Sequence, residues 1–381
     1  MMNDGTTLDI SEPEMKATLQ YGSVAGNQEL RHWLIDLQHR LHSPPLLESG
    51  NELNTTDLIM TTGCTEGIEK VLEAVMEEGD MILTETFTYP CLFNLITPLG
   101  VKAVPVRSDD EGMLPSALDN VLSTWREQTS GRRPKVLYCI PSAANPTGVT
   151  WSMARKKDIY NVARHYGLLI LEDDPYYMMQ FSRPRVPSFL SLDTDGRVIR
   201  LDTFSKILSA GIRLGFMTGP KQILERVQLH MEVSSVHGGN LAQIMILKVL
   251  QQMHYEGFMA HGDTVSDFYQ ERCEKALKLT KKHLTGLAEW RVPHGGIFLW
   301  LRMLGSSNST EVIRKAHEKG ATFTDGAFFM KEGKPCEYIR MSYSLIDDQD
   351  METAVKILAS VLREEGNQDG QENPENKDLH D

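Results

Sequence analysis

The chain has 381 residues, 41% of them hydrophobic, too long for one simple core and too short for three average domains, so two domains are expected. Its 52 acidic against 39 basic side chains leave a net charge of −13, which argues against nucleic acid or an anionic membrane surface as a partner. Five scattered cysteines (Cys64, Cys91, Cys139, Cys273, Cys336) have no paired spacing and read as reduced thiols; neither a disulfide frame nor a metal site is expected.

The start, Met1-Met2-Asn3-Asp4-Gly5, has neither an apolar secretory core nor an arginine-rich transit pattern, and no uninterrupted apolar stretch approaches membrane-spanning length. A cytoplasmic protein is expected, or a mitochondrial one if an upstream targeting segment is missing. Thr61-Thr62-Gly63-Cys64-Thr65-Glu66-Gly67 precedes the first strong helix, where Ile68, Val71, Leu72, Val75 and Met76 recur at helical spacing. The free N–H groups of such a helix start can hold a phosphate, and an ordinary helix cap fits the same residues. Residues 81–83 and 101–106 read as strands. Tyr89, between them, reads as a plain core aromatic.

Residues 136–140 form another apolar strand, followed by Pro141-Ser142-Ala143-Ala144-Asn145-Pro146-Thr147-Gly148. Asn-Pro and Thr-Gly mark a turn, and the Asn145 amide at its apex can hydrogen-bond both a ring oxygen and a carboxylate. A helix over 152–166, closed by Gly167, leads into Leu168-Leu169-Ile170-Leu171, the pattern of a buried parallel strand. That run ends in Glu172-Asp173-Asp174-Pro175-Tyr176-Tyr177, and carboxylates at such a strand end sit where open α/β sheets hold ligands. Asp173 can face a protonated ring nitrogen, with Tyr176 offering a phenol to the same ligand; simple solvation is the plainer alternative.

Thr203-Phe204-Ser205-Lys206-Ile207-Leu208-Ser209-Ala210-Gly211-Ile212-Arg213 places one lysine amid hydroxyls, with an arginine seven positions on. A lysine held out of water pairs, loses its proton or reacts, and a neutral amine is what a carbonyl cofactor needs to form an imine. Thr203, Ser205 and Arg213 suit a phosphate dianion. An ordinary turn beside a helix fits this segment equally well. After about residue 259 the pattern changes to a long charged helix, strands at 297–301, 321–324 and 338–342, and helices at 310–319 and 347–363. In Tyr338-Ile339-Arg340-Met341-Ser342, period-two alternation puts Arg340 on the face opposite Ile339 and Met341.

Alternating β and α units imply an α/β fold, a mostly parallel sheet covered by helices, with a smaller α+β C-terminal domain. The expected bounds are an N-terminal arm over 1–45, a large domain over 46–258, a small domain over 259–365 and a disordered tail over 366–381.

Asn145-Pro146-Thr147-Gly148, Asp173-x-x-Tyr176 and Ser205-Lys206 with Arg213, in this order, resemble the fold-type I, class I pyridoxal-phosphate aminotransferases. Within them the chain is most similar to the kynurenine/α-aminoadipate aminotransferase group, which includes aromatic aminotransferases. Asp173-Asp174-Pro175-Tyr176-Tyr177, Arg183 to Pro187, Asp195-Gly196-Arg197-Val198-Ile199-Arg200 and Thr285-Gly286-Leu287-Ala288-Glu289-Trp290 carry that likeness, which spans about Tyr21 to Leu362.

The resemblance implies that Lys206 holds pyridoxal phosphate as an internal aldimine and then moves the substrate α-proton. It implies that Asp173 keeps the ring nitrogen protonated, that Tyr176 and Asn145 bond the ring oxygen, and that Tyr89 stacks on the ring. Cys64, Thr65, Thr203, Ser205 and Arg213 would surround the phosphate, joined by Tyr21 from a neighbouring subunit, so a homodimer is implied. Arg340, with Asn145, would bind the substrate α-carboxylate. The expected reaction is ping-pong transfer from an aromatic, kynurenine-like or 2-aminoadipate-like amino acid to a 2-oxo acid, 2-oxoglutarate first among them. A cofactor-binding sensor or scaffold, or a lyase, is the alternative. Departures are Cys64-Thr65-Glu66 where relatives tend to carry Ser and Gln, Ser142-Ala143-Ala144 in place of a more polar run, and a start close to Tyr21 where relatives carry an upstream stretch over the side-chain pocket.

Overall fold

The computed structural model describes residues 5, 7–48 and 55–369. Seven strands form the larger sheet, in the order Thr56–Thr61, Gly215–Pro220, Val198–Thr203, Leu169–Asp173, Val136–Cys139, Met81–Glu85, Lys102–Val106. Only Gly215–Pro220 runs antiparallel to its neighbours; the other pairings are parallel. The sheet is mostly parallel, as the alternation of strand and helix patterns predicts. Its central strands are buried, with Leu137, Tyr138, Ile170, Leu171, Ile199 and Leu201 in the core and the polar Glu172, Asp173 and Arg200 toward the ends that serve the site.

Local signals set the helix ends. The helix Met153–Tyr166 starts at Ser152, whose hydroxyl accepts from the Arg155 N–H, and stops at Gly167 in the left-handed region at φ 69°. The helix Cys64–Val75 starts after Gly63 and lies close on the sheet at Gly67, where an added Cβ would come 2.8 Å from Leu201 Cδ2. Its apolar stripe of Ile68, Val71 and Leu72 joins the core with Ile199 and Leu201.

A second, antiparallel sheet has the order Ala288–Trp290, Phe298–Met303, Tyr338–Ser342, Thr324–Asp325. It packs on the helices Ser309–Glu318 and Asp348–Asp369 through a separate core that includes Leu299, Leu301, Val312, Ile339, Val355 and Leu358. The helical segment Asn240–Leu284 connects the two sheets and breaks at His254, at φ 54° and ψ −178°.

Three expectations need adjustment. The strand expected at 321–324 is confined to Thr324–Asp325. The last helix continues past 363 to Asp369, held by ion pairs from Lys319 to Glu364 at 2.5 Å and from Lys315 to Glu365. Residues 370–381 of the expected tail, and Met1 to Asp4 of the start, lie outside the described residues. Among the described residues no helix is long and apolar enough to cross a membrane.

Candidate active site

The parallel strands deliver their following loops to one edge of the sheet, and a cavity of about 280 Å³ opens there. Cys64 and Thr65 reach it after the strand Thr56–Thr61, Tyr89 after Met81–Glu85, and Asn145 after Val136–Cys139. Asp173 and Tyr176 reach it from the end of Leu169–Asp173, and Thr203, Ser205, Lys206 and Arg213 from the turn after Val198–Thr203. Three motifs separated by tens of residues in sequence thus share one wall.

Asp173 is the electrostatic centre of that wall. Its carboxylate is buried; Oδ2 accepts from the Tyr138 hydroxyl at 2.7 Å, while Oδ1 has no partner. Burial pushes the carboxyl up to about 6, against the lowering effect of the Tyr138 hydrogen bond and of the nearby Cys64 thiol. A buried acceptor without a donor is costly, so this oxygen marks a place for a ligand N–H. The Cys64 thiol is pushed well above its ordinary range, first by burial and then by the Asp173 charge, and it stays protonated.

The same cavity is lined by hydroxyls and a cation. Thr203 Oγ1 donates to Ser205 Oγ at 3.0 Å, Arg213 Nη1 to the same Ser205 Oγ at 3.3 Å, and Arg213 Nη2 to the Thr62 carbonyl at 3.0 Å. Gly63, at φ 88°, leaves room beside that guanidinium, since a Cβ there would come 3.0 Å from Nη2. With the start of the helix Cys64–Val75, this is an anion seat made of backbone, hydroxyl and guanidinium. Burial pulls Lys206 below the ordinary lysine range, and the Arg213 and Arg340 charges act the same way.

Arg340 belongs to the second sheet. It lies between the rings of Phe298 and Phe329, with its guanidinium carbon 4.0 and 4.9 Å from their centroids. Nη1 donates to Asn145 Oδ1 at 2.6 Å, Nη2 to Thr324 Oγ1 at 3.2 Å, and the buried Nε has no partner. Tyr176 meets the edge of Phe298, with centroids 6.2 Å apart, and burial raises its phenol above the ordinary range. Burial likewise pushes Tyr89 up to about 12.

Tyr21 is not among the residues lining this cavity; its side chain is 88% exposed and meets His237 edge-on at 6.0 Å between centroids. The sequence reading omitted Phe298 and Ile140, which line the cavity, and Tyr138 beneath it. The available signal for Tyr138 was period two: it stands two residues before Ile140, so both share a face of one strand.

Pyridoxal phosphate presents a ring nitrogen, a phosphate and an aldehyde. The free Asp173 oxygen, the seat beside Gly63 and Arg213, and an amine with a lowered pKa match these three in one cavity. Fold and cavity together define a pyridoxal-phosphate-dependent enzyme of fold type I.

The family model for aminotransferase class I and II matches residues 8–358, and the chain belongs to that family. It is 42% identical to the mitochondrial kynurenine/alpha-aminoadipate aminotransferase of Mus musculus over 369 residues, covering 95% of this chain and 87% of the relative. To an aromatic amino acid aminotransferase of Dictyostelium discoideum it is 33% identical over 365 residues, 93% of this chain and 76% of the relative. The crystal structure of Aro8, an aminotransferase of Candida albicans, superposes with a TM-score of 0.85 at 27% identity, over 93% of this chain and 81% of that one. The kynurenine aminotransferase of Pyrococcus horikoshii, solved with PMP, superposes with a TM-score of 0.85 at 25% identity, over 93% of this chain and 84% of that one. The protein is an aminotransferase.

Proposed function

We propose that this aminotransferase takes an aromatic, kynurenine-like or 2-aminoadipate-like L-amino acid as donor and 2-oxoglutarate as acceptor, in a ping-pong cycle. The observation that carries the reading is the Asp173 carboxylate, buried with one unpartnered oxygen, in the same cavity wall as Lys206. The printed names of the relatives support the donor class. A lyase or a non-catalytic sensor is the weaker reading, since the relatives and structures described above are all named as aminotransferases.

When bound, pyridoxal phosphate supplies an electron sink that stabilises negative charge at the substrate α-carbon. Lys206 anchors the cofactor and carries the α-proton; its lowered pKa leaves more of the amine as free base at neutral pH. Asp173 keeps the proton on the ring nitrogen. Tyr176 and Asn145 donate to the ring oxygen, and Tyr89 covers the ring. Thr65, Thr203, Ser205, Arg213 and the backbone at Cys64 hold the phosphate, with Tyr21 contributed by a second subunit of a homodimer. Arg340 and Asn145 receive the α-carboxylate. In this reading the large domain covers 46–258 and the small one 259–365.

The test is a panel of amino donors, namely kynurenine, 2-aminoadipate, tyrosine, phenylalanine, tryptophan and aspartate, each with 2-oxoglutarate and cofactor-loaded protein. Turnover led by the first five, with parallel double-reciprocal lines, is expected. If no member of the panel forms glutamate, or aspartate leads it, the donor class is wrong.

A further inference from the structure

Beneath the cavity, Tyr138 is fully buried, and its hydroxyl makes a 2.7 Å hydrogen bond to Asp173 Oδ2. The parallel pairing of Val136–Cys139 with Leu169–Asp173 sets Tyr138 beside Leu171, and alternation puts residue 173 on the same face. The two oxygens of Asp173 therefore have unequal surroundings: Oδ2 has a phenol donor, and Oδ1 has none.

We propose that Tyr138 is a positioning residue for transamination: by donating to Oδ2 it fixes the rotation of the Asp173 carboxylate and reserves Oδ1 for the ring-nitrogen proton. This rests on the reading of Asp173 as the ring-nitrogen partner. A carboxylate on a single χ2 axle with no second donor would turn freely, since that torsion is broad and two-fold. The phenol also offsets part of the burial cost of the charged carboxylate. The other titratable groups around Asp173 are Cys64 from the helix start, Tyr89 and Tyr176 from two loops, Lys206 from the turn, and Asp174 and Arg200 behind the sheet. Tyr138 makes the hydrogen bond to the Asp173 carboxylate; the nearby Cys64 thiol lowers the carboxyl's pKa as well, and a thiol is the weaker donor.

The experiment uses cofactor-loaded full-length protein with Tyr138→Phe, which keeps the ring in the core and removes one oxygen. Expected are about tenfold weaker affinity for pyridoxal phosphate and an upward shift in the midpoint of its visible-absorbance pH titration, because a less firmly held ring proton makes the imine nitrogen more basic. A fluorinated tyrosine at position 138, a stronger donor of the same shape, should shift the midpoint downward, and it serves alone if the phenylalanine variant does not fold. Asp173→Asn tests the underlying reading: if it leaves affinity and titration unchanged, Asp173 does not hold the ring nitrogen. If Asp173→Asn is damaging while the tested changes at 138 leave both readouts at parental values, the positioning role is wrong and the reading of Asp173 stands. In the double variant, Tyr138→Phe should add nothing to Asp173→Asn; full additivity would overturn the proposal.

Discussion

The strand Leu169–Asp173 separates two polar regions of opposite character. Behind it, Glu172 accepts from the Phe189 N–H at 3.1 Å and from the Ser188 hydroxyl. Arg200 lies fully buried there, donating to Asp174 at 2.6 Å and to both oxygens of Asp202 at 2.8 and 2.7 Å, over the ring of Tyr177. In front, Asp173 keeps one oxygen unmatched and Lys206 stands with its pKa lowered. Neighbouring residues of one strand thus serve an ion-paired foundation and a cavity-facing front, and the alternation of strand side chains sorts them. Asp174 Oδ1 also lacks a hydrogen-bond partner, but Asp174 is ion-paired with the buried Arg200, whereas the unpartnered oxygen of Asp173 belongs to a residue that lines the cavity and is available to a ligand.

Substitutions on each side should therefore fail differently. Lys206→Ala should reduce transamination by roughly 10⁴-fold while leaving the melting curve of the cofactor-free protein nearly unchanged. Activity near the parental rate would show that the front is not where the chemistry occurs. Arg200→Met, which strands two fully buried carboxylates and a partly buried one, should cost about 3–5 kcal/mol in denaturant unfolding. If stability survives, the region behind the sheet is not a foundation.

Asp173→Asn should abolish activity yet stabilise the cofactor-free protein at pH 8, by on the order of 3 kcal/mol at most. The sign follows from a carboxyl raised from its ordinary 3.8 to about 6 in the folded state. The cost of charging it is absent below about pH 4, grows as pH rises through that window, and is complete above it. A pH-independent gain, or a loss, would contradict the account. The smallest effect is at the rim: Arg340→Ala should raise the KM for the amino donor by roughly ten- to a hundredfold, about 1.5–3 kcal/mol. Unchanged steady-state kinetics would remove Arg340 from carboxylate binding.

The parts of the site set by local chemistry were legible in the sequence. Asn-Pro-Thr-Gly announces a turn, an apolar run ending in Asp173 announces a strand edge, and a lysine between hydroxyls announces an unusual amine. What was not legible depends on pairing between distant segments. Tyr138 reads as one more apolar strand residue until its register beside Leu171 is known. Phe298 reads as part of a strand of the second sheet, and only the approach of the two sheets brings it to the cavity and to Arg340. Arg200 resembles a surface arginine in sequence, yet it is fully buried among three carboxylates. The break at His254 has no glycine or proline to signal it. The last helix outruns its apolar pattern because ion pairs, not burial, hold its end.

The hydrogen bond from Arg340 to Asn145 joins two bodies with separate cores, one amide from the larger sheet and one guanidinium from the smaller. Under the role proposed for Arg340, an arriving carboxylate that claims the guanidinium would untie this knot and retie it through itself. Admission of the guest and the mutual posture of the two halves would then be a single event; solution scattering that is unchanged by an unreactive carboxylate mimic would separate them.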